Sequence, residues 1–179
     1  MKALVLYDSA YGNTARVAEA IAAALATAGE VTTLRAGEAT PAHLQGITTL
    51  VVGSPTQGFR PTQPVTHFLQ SLPNRALDGL QVAAFDTRIG EADIAKNRFL
   101  ALMVRLFGYA AEKIAKTLIR KGGRLVVSPA GFIVGGTEGP LLDGELERAA
   151  SWAKQIIAAS ASASSVTGQA VFSGRSSRS

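Results

Sequence analysis

Short apolar runs alternate along this chain with longer stretches in which apolar residues recur at helical spacing. Ala3 to Tyr7 is apolar throughout and ends at Asp8, which predicts a buried strand. Val17, Ile21 and Leu25 repeat every four residues among alanines, predicting a helix from about Thr14 to Ala28 that Gly29 ends. Val31 to Leu34 reads as a second strand and Leu50-Val51-Val52, opening into Gly53, as a third. A helix over Thr62 to Leu72 follows, stopped by Pro73. Val82 to Phe85 is a fourth strand, and Arg124 to Ser128 a fifth that resumes at Phe132 to Val134 after Pro129-Ala130-Gly131. Between them Phe99, Leu102, Met103, Leu106, Phe107, Ala110, Ile114 and Leu118 keep three-four spacing, so 94–121 is one long helix or two broken at Gly108. A last helix is expected from Gly144 to about Ser160. This alternation specifies an α/β fold: a five-stranded parallel sheet with helices on both faces.

Composition narrows the picture. The 179 residues fit one domain, taken as residues 1–160, and the Ser/Ala-rich stretch 161–179 has too few apolar residues to pack and is expected to be disordered. The absence of cysteine excludes disulfide frameworks, thiolate nucleophiles and cysteine-ligated metal centres. Five apolar residues after Lys2 are too few for a secretory signal, and no run of about 18 uncharged apolar residues occurs. A cytoplasmic protein without an integral membrane segment is therefore expected.

The net charge of +5 is unevenly placed. Residues 1–95 carry six basic and eight acidic side chains, whereas 96–124 carry eight basic and one acidic. Such a stretch reads as a nucleic-acid patch, a docking face for an acidic protein, or the solvated face of an amphipathic helix. No nucleic-acid motif and no interleaved aromatics accompany it, so a nucleic-acid partner is not expected. Lys113, Lys116, Arg120 and Lys121 are expected to face solvent, with Phe99, Met103, Leu106 and Ile114 buried on the sheet or against a second copy in a homodimer.

In a parallel sheet of this kind ligands sit at the carboxyl ends of the strands, near the point where strand order reverses. The loop after the first strand, Ser9-Ala10-Tyr11-Gly12-Asn13-Thr14, suits an anion. Amides at a helix N-terminus and the helix dipole attract a phosphate, Ser9 and Thr14 add hydroxyl donors, and Gly12 permits close backbone approach. Ser9 and Thr14 could equally cap the helix. His43 and His67 lie too far apart for a local metal pair, and no metal is expected. Gly135-Gly136-Thr137-Glu138-Gly139 follows the fifth strand rather than the first, so its glycines read as turn residues and not as a dinucleotide loop. Gly53-Ser54 stands where a response regulator would need its phosphate-accepting aspartate, which disfavours that class.

The loop Ser9 to Thr14 resembles the phosphate loop of the flavodoxin family. Ser54-Pro55-Thr56-Gln57-Gly58 resembles that family's second flavin loop, and Gly139-Pro140-Leu141-Leu142-Asp143-Gly144-Glu145 resembles the start of its last helix. The resemblance spans roughly residues 2–158. It implies a three-layer fold of strand order 2-1-3-4-5 that binds FMN noncovalently, with Ser9, Tyr11, Gly12, Asn13 and Thr14 around the phosphate. It also implies that the Gln57–Gly58 peptide faces the N5 edge of the flavin, where glycine lets the peptide turn over.

Two departures stand out. The family usually places an aromatic where this chain has Gln57, and a tyrosine after the fourth strand on the other ring face. Here that loop reads Asp86-Thr87-Arg88-Ile89-Gly90, and only Phe59 is close enough in sequence to supply a ring contact. Arg88 would place positive charge near the pyrimidine end, or else forms a salt bridge with Asp86 or Glu91. The expected function is an electron carrier between partner proteins. The alternative is an NAD(P)H-dependent reductase of quinones or other small acceptors, which an uncovered ring would favour.

Overall fold

The computed structural model describes the backbone of residues 1–90, 94 and 98–172, and their side chains except those of 99–101 and 163–172. Its strands are β1 (Lys2–Tyr7), β2 (Glu30–Arg35), β3 (Thr49–Pro55), β4 (Gln81–Ile89), β5 (Arg124–Leu125) and β6 (Ala130–Val134). Its α-helices are α1 (Asn13–Leu25), α2 (Gln63–Ser71), α3 (Arg98–Phe107), α4 (Ala110–Arg120) and α5 (Glu145–Phe172). The strands form one parallel sheet of order β2-β1-β3-β4-β5, with β6 also paired to β4. β5 lies beside Gln81–Val82 and β6 beside Phe85–Ile89, so the two occupy successive lengths of one edge, the interrupted fifth strand that the sequence predicts.

Period-two alternation sends side chains to opposite faces of the sheet. Ala3, Val5, Val51, Ala83 and Phe85 face Val17, Ile21 and Leu25 of α1 and Trp152 and Ile156 of α5. Leu4, Leu6, Leu50, Val52, Val82 and Ala84 face Val65, Phe68 and Leu69 of α2 and Ile114 and Leu118 of α4. Phe85, Phe132 and Trp152 meet edge to face, with centroids 6.0 to 6.3 Å apart. Gly53 lies under this cluster, and a Cβ there would fall 2.0 Å from the Phe85 ring. That packing accounts for a glycine at the end of β3.

Of the two readings of 94–121 the structure has the second: α3 and α4 are separate helices, broken where Gly108 takes a φ of 66°. Ile114 is buried as expected and Met103 is half-buried, but Leu106 is 65% exposed. Four helices already fill both faces of the sheet, so α3 has no core left to enter, and its Leu102 and Phe107 are exposed as well. Phe99 lies outside the described side chains. Lys113 and Lys121 are half-buried rather than free in solvent, since their ammonium groups donate to the carbonyls of Phe59 and Leu72. Finally, α5 runs twelve residues beyond Ser160. Alanine has the highest helix propensity and no proline intervenes, so the helix continues into the Ser/Ala-rich stretch; 173–179 lie outside the described residues.

Candidate functional site

The carboxyl ends of β1, β3, β4 and β6 open into one cleft of about 300 Å3, at the place where the chain reverses its direction of winding between β1 and β3. Ala10, Tyr11, Asn13 and Thr14 line it from β1, Pro55, Thr56, Gln57 and Gly58 from β3, and Thr87 and Arg88 from β4. Residues scattered over eighty positions of sequence thus meet as expected. Ile89, Val134, Gly136 and Thr137 line it too, and sequence reasoning missed them. The rule that ligands lie beyond strand ends applied equally to the last strand, but its glycines read as an ordinary turn.

One end of the cleft is built from backbone and small hydroxyls. Gly12 has a φ of 85°, which L side chains rarely adopt, and hands the chain into α1 at Asn13. No side chain caps that helix, and its first turn carries no acid. Its N-terminal amides and positive dipole end are therefore available to an anion. A Cβ on Gly12 would meet no atom within 4 Å, so the glycine borders open space. Ser9 is buried, its carbonyl held by Arg35 Nη2 at 2.8 Å, and its hydroxyl has no hydrogen-bond partner. A buried, unsatisfied hydroxyl costs about 1–3 kcal/mol, which a bound acceptor would relieve. The Thr14 and Thr87 hydroxyls lie 2.8 Å apart, tying this loop to β4. Asn13 Nδ2 donates to the Glu138 carbonyl at 2.8 Å. Gly139 allows this approach, since a Cβ there would fall 2.4 Å from Asn13 Nδ2.

The other end is held by side chains that serve one another. Gln57 and Arg60 exchange both backbone hydrogen bonds at 3.0 Å around Gly58 and Phe59, whose φ values are 52° and 63°. Positive φ at both central positions is the pattern of a type I′ turn, unusual for phenylalanine. Lys113 Nζ holds the Phe59 carbonyl at 2.6 Å, and the Phe59 ring lies 6.0 Å from that of Phe107. The Phe59 ring therefore packs on α3, and Phe59 is not among the residues lining the cleft.

Asp86 is fully buried beneath the floor of the cleft. Its carboxylate accepts from Arg88 Nε at 2.6 Å, Arg88 Nη2 at 2.9 Å, Thr56 Oγ1 at 3.0 Å and the Ala111 amide at 2.9 Å. Burial, the largest influence, pushes the Asp86 carboxyl above its ordinary pKa, and the hydrogen bonds oppose it. All four groups around its oxygens are donors, an arrangement that favours the carboxylate form against the cost of burial. Desolvation works to lower the pKa of Arg88, but the bonds and charge of Asp86 carry it above the usual guanidinium value. The Arg88 guanidinium also lies 3.6 Å over the Tyr109 ring and 3.5 Å from Glu112.

Of the two sequence readings of Arg88, the geometry bears out pairing with Asp86, in a buried bond rather than a surface one; Glu91 lies outside the described residues. Arg88 borders the cleft, but its charge is committed to Asp86, and its guanidinium is stacked on the Tyr109 ring. Ser54 is also occupied, its hydroxyl accepting the Thr62 amide at the start of α2 at 2.9 Å. Gly90 is half-buried at the end of β4 and does not line the cleft.

Among the described residues no three His, Cys, Asp or Glu side chains are grouped to hold a metal, and no helix is long and apolar enough to cross a membrane. His43 instead accepts from the Thr40 amide at 3.0 Å, closing a short helical turn.

No curated protein matches the chain in sequence. Among solved structures it is similar to oxidised flavodoxin 1 from Bacillus cereus, at 16% identity and a TM-score of 0.70 over 88% of this chain and 97% of that one. Flavodoxin 2 from the same organism gives 23% identity and a TM-score of 0.69, over 87% of this chain and 97% of that one. Rubredoxin oxygen:oxidoreductase from Desulfovibrio gigas aligns at 17% identity and a TM-score of 0.69 over 89% of this chain, but over only 36% of its own. Identities this low establish the shared architecture alone. The family model for the flavodoxin domain matches residues 4–132, most of the 179, from the start of β1 into β6. The chain belongs to the flavodoxin family.

Proposed function

We propose that this protein binds FMN in the cleft described above and carries electrons between partner proteins. The observation that supports this most directly is the phosphate end: an uncapped helix N-terminus joined to a buried serine hydroxyl without a partner. Membership of the flavodoxin family supports a flavin as the ligand. In this reading Ser9, the amides from Ala10 to Thr14 and the Thr14 hydroxyl hold the phosphate, with Tyr11, 53% exposed, at the mouth. Pro55, Thr56, Gln57 and Gly58 would border the isoalloxazine ring, with Thr87 and Arg88 in the same lining. When bound, FMN supplies one- and two-electron redox chemistry that no side chain of this chain can provide. The part of the chain's own residues would be to hold and orient that group.

One observation favours a second reading, an NAD(P)H-dependent reductase of quinones or similar acceptors. Phe59 packs on Phe107 and Tyr109 on Arg88, so neither ring is directed over the cleft. A flavin left uncovered on that side admits a small donor or acceptor. Visible spectroscopy of the purified protein mixed with FMN tests both readings. Stoichiometric retention of the flavin through gel filtration is expected, and a colourless protein would overturn them together. Bleaching by NAD(P)H with turnover of a quinone would select the reductase; indifference to NAD(P)H would leave the carrier.

A further inference from the structure

A second concavity, of about 520 Å3, runs between α2 and α4 on the face of the sheet away from α1 and α5. Its charged lining is all of one sign: Arg60 from the Gly58–Phe59 turn, with Lys113 and Arg120 from α4. Lys116 stands beside it on α4 and Lys121 at that helix's end. None of these five is in an ion pair among the described residues. The sole acid of α4, Glu112, is engaged by Arg88 and the Tyr109 amide, and α2 contains no acid at all. The charges are close enough to act on one another, for desolvation first and then Arg60 and Lys116 depress the pKa of Lys113. Like charges gathered without counterions cost the free protein stability, which an anionic partner would recover.

The groove also touches the functional cleft. Lys113 holds the carbonyl of Phe59, in the same two-residue turn whose Gln57 and Gly58 line that cleft. Whatever fills the groove rests against the turn bordering the ring. We infer that the groove between α2 and α4 is the docking site for an acidic segment of a redox partner protein. Apolar Pro61, Leu69 and Ile114 in its floor would receive the stems and apolar neighbours of the partner's carboxylates. The word redox rests on the FMN reading given above; the acidic character of the partner does not.

Fluorescence anisotropy with labelled poly-L-glutamate as the probe separates the two, because it needs no flavin. The peptide should bind saturably to the protein with or without FMN, and an oligonucleotide of equal charge at least tenfold more weakly. Binding should weaken steeply as salt rises, since exposed charges are screened over about 8–10 Å at physiological salt. The double variant Lys116→Glu, Arg120→Glu should lose at least tenfold in affinity. Lys2→Glu with Lys154→Glu, which makes the same change of net charge elsewhere, should lose less than twofold. Equal losses in the two double variants, or equal binding of the oligonucleotide, would overturn the proposal. In the FMN-loaded, reduced protein, oxidation by ferricyanide should slow at least threefold in Lys116→Glu, Arg120→Glu, and oxidation by cationic hexaamminecobalt(III) should quicken. Unchanged rates for both acceptors would remove the link between groove and cleft, even where peptide binding stands. Poly-L-glutamate binding by a protein that retains no FMN would leave the acidic partner in place and refute the carrier function instead.

Discussion

The two ends of the cleft are made differently. At the end proposed above for the phosphate the donors are backbone amides and small hydroxyls, fixed by Gly12 and the start of α1, and one of them, the Ser9 hydroxyl, has no partner among the described residues. At the ring end the strongest polar groups, Asp86 and Arg88, satisfy each other, and the aromatic Phe59 turns to α3. The first region is prepared for a ligand and carries an unmet cost; the second is internally complete and serves as a wall. Affinity should therefore be concentrated at the phosphate end and fold stability at the ring end.

The largest effect expected is on the phosphate. Removing it, by offering riboflavin in place of FMN, deletes two or three charge-assisted hydrogen bonds of about 1.5–3 kcal/mol each. Fluorescence titration should show riboflavin binding weaker by at least two orders of magnitude, at roughly 1.4 kcal/mol per tenfold. Ser9→Ala should reduce FMN affinity about tenfold, leave riboflavin unchanged, and make the flavin-free protein slightly more stable, because an unsatisfied buried hydroxyl is gone. Equal affinities for the two flavins would erase the distinction between the ends.

The ring end should respond in the opposite sense. Asp86→Ala leaves Arg88, whose side chain is 12% exposed, with only the longer 3.5 Å contact to Glu112 among the described acids, and takes the acceptor from the Ala111 amide and Thr56. Removing one partner of a buried pair costs about 3–5 kcal/mol, so urea unfolding should move by that amount. A shift below about 1 kcal/mol would mean that the network is ornamental and that the wall is held by β4 pairing alone.

Much of this was legible in the sequence. Period and punctuation found every strand, because a sheet buried on both faces leaves continuous apolar runs, but not every end: Asp86 to Ile89, read as a loop, continue β4, β5 stops at Leu125, and Ala130 and Gly131, read as part of the interruption, open β6. The loops were legible because strand ends meet by topology, whatever their side chains do. What was not legible is choice of partner. Nothing in Asp86-Thr87-Arg88 says that the arginine folds back two residues rather than reaching into the cleft. That outcome depends on Ala111 and Tyr109, which only the packing of α4 brings within reach. The spacing of Leu102 and Leu106 likewise marks an apolar stripe without saying whether the fold has room for it.

That stripe gives the smallest effect. Leu102, Leu106 and Phe107 are 51%, 65% and 47% exposed, and belong to neither core cluster. If both ends of the cleft are framed within one chain, changing α3 should disturb neither. Leu106→Glu is expected to alter unfolding free energy by no more than about 0.5 kcal/mol, as for other surface positions, and to leave FMN affinity unchanged. The homodimer expected from the sequence would form over this helix. Three side chains cover far less than the roughly 1,000 Å2 that a stable interface needs, so such a dimer would be concentration-dependent. Sedimentation should find it at high concentration and lose it in Leu106→Glu; a wild-type protein monomeric throughout would refute the dimer and leave the cleft as argued.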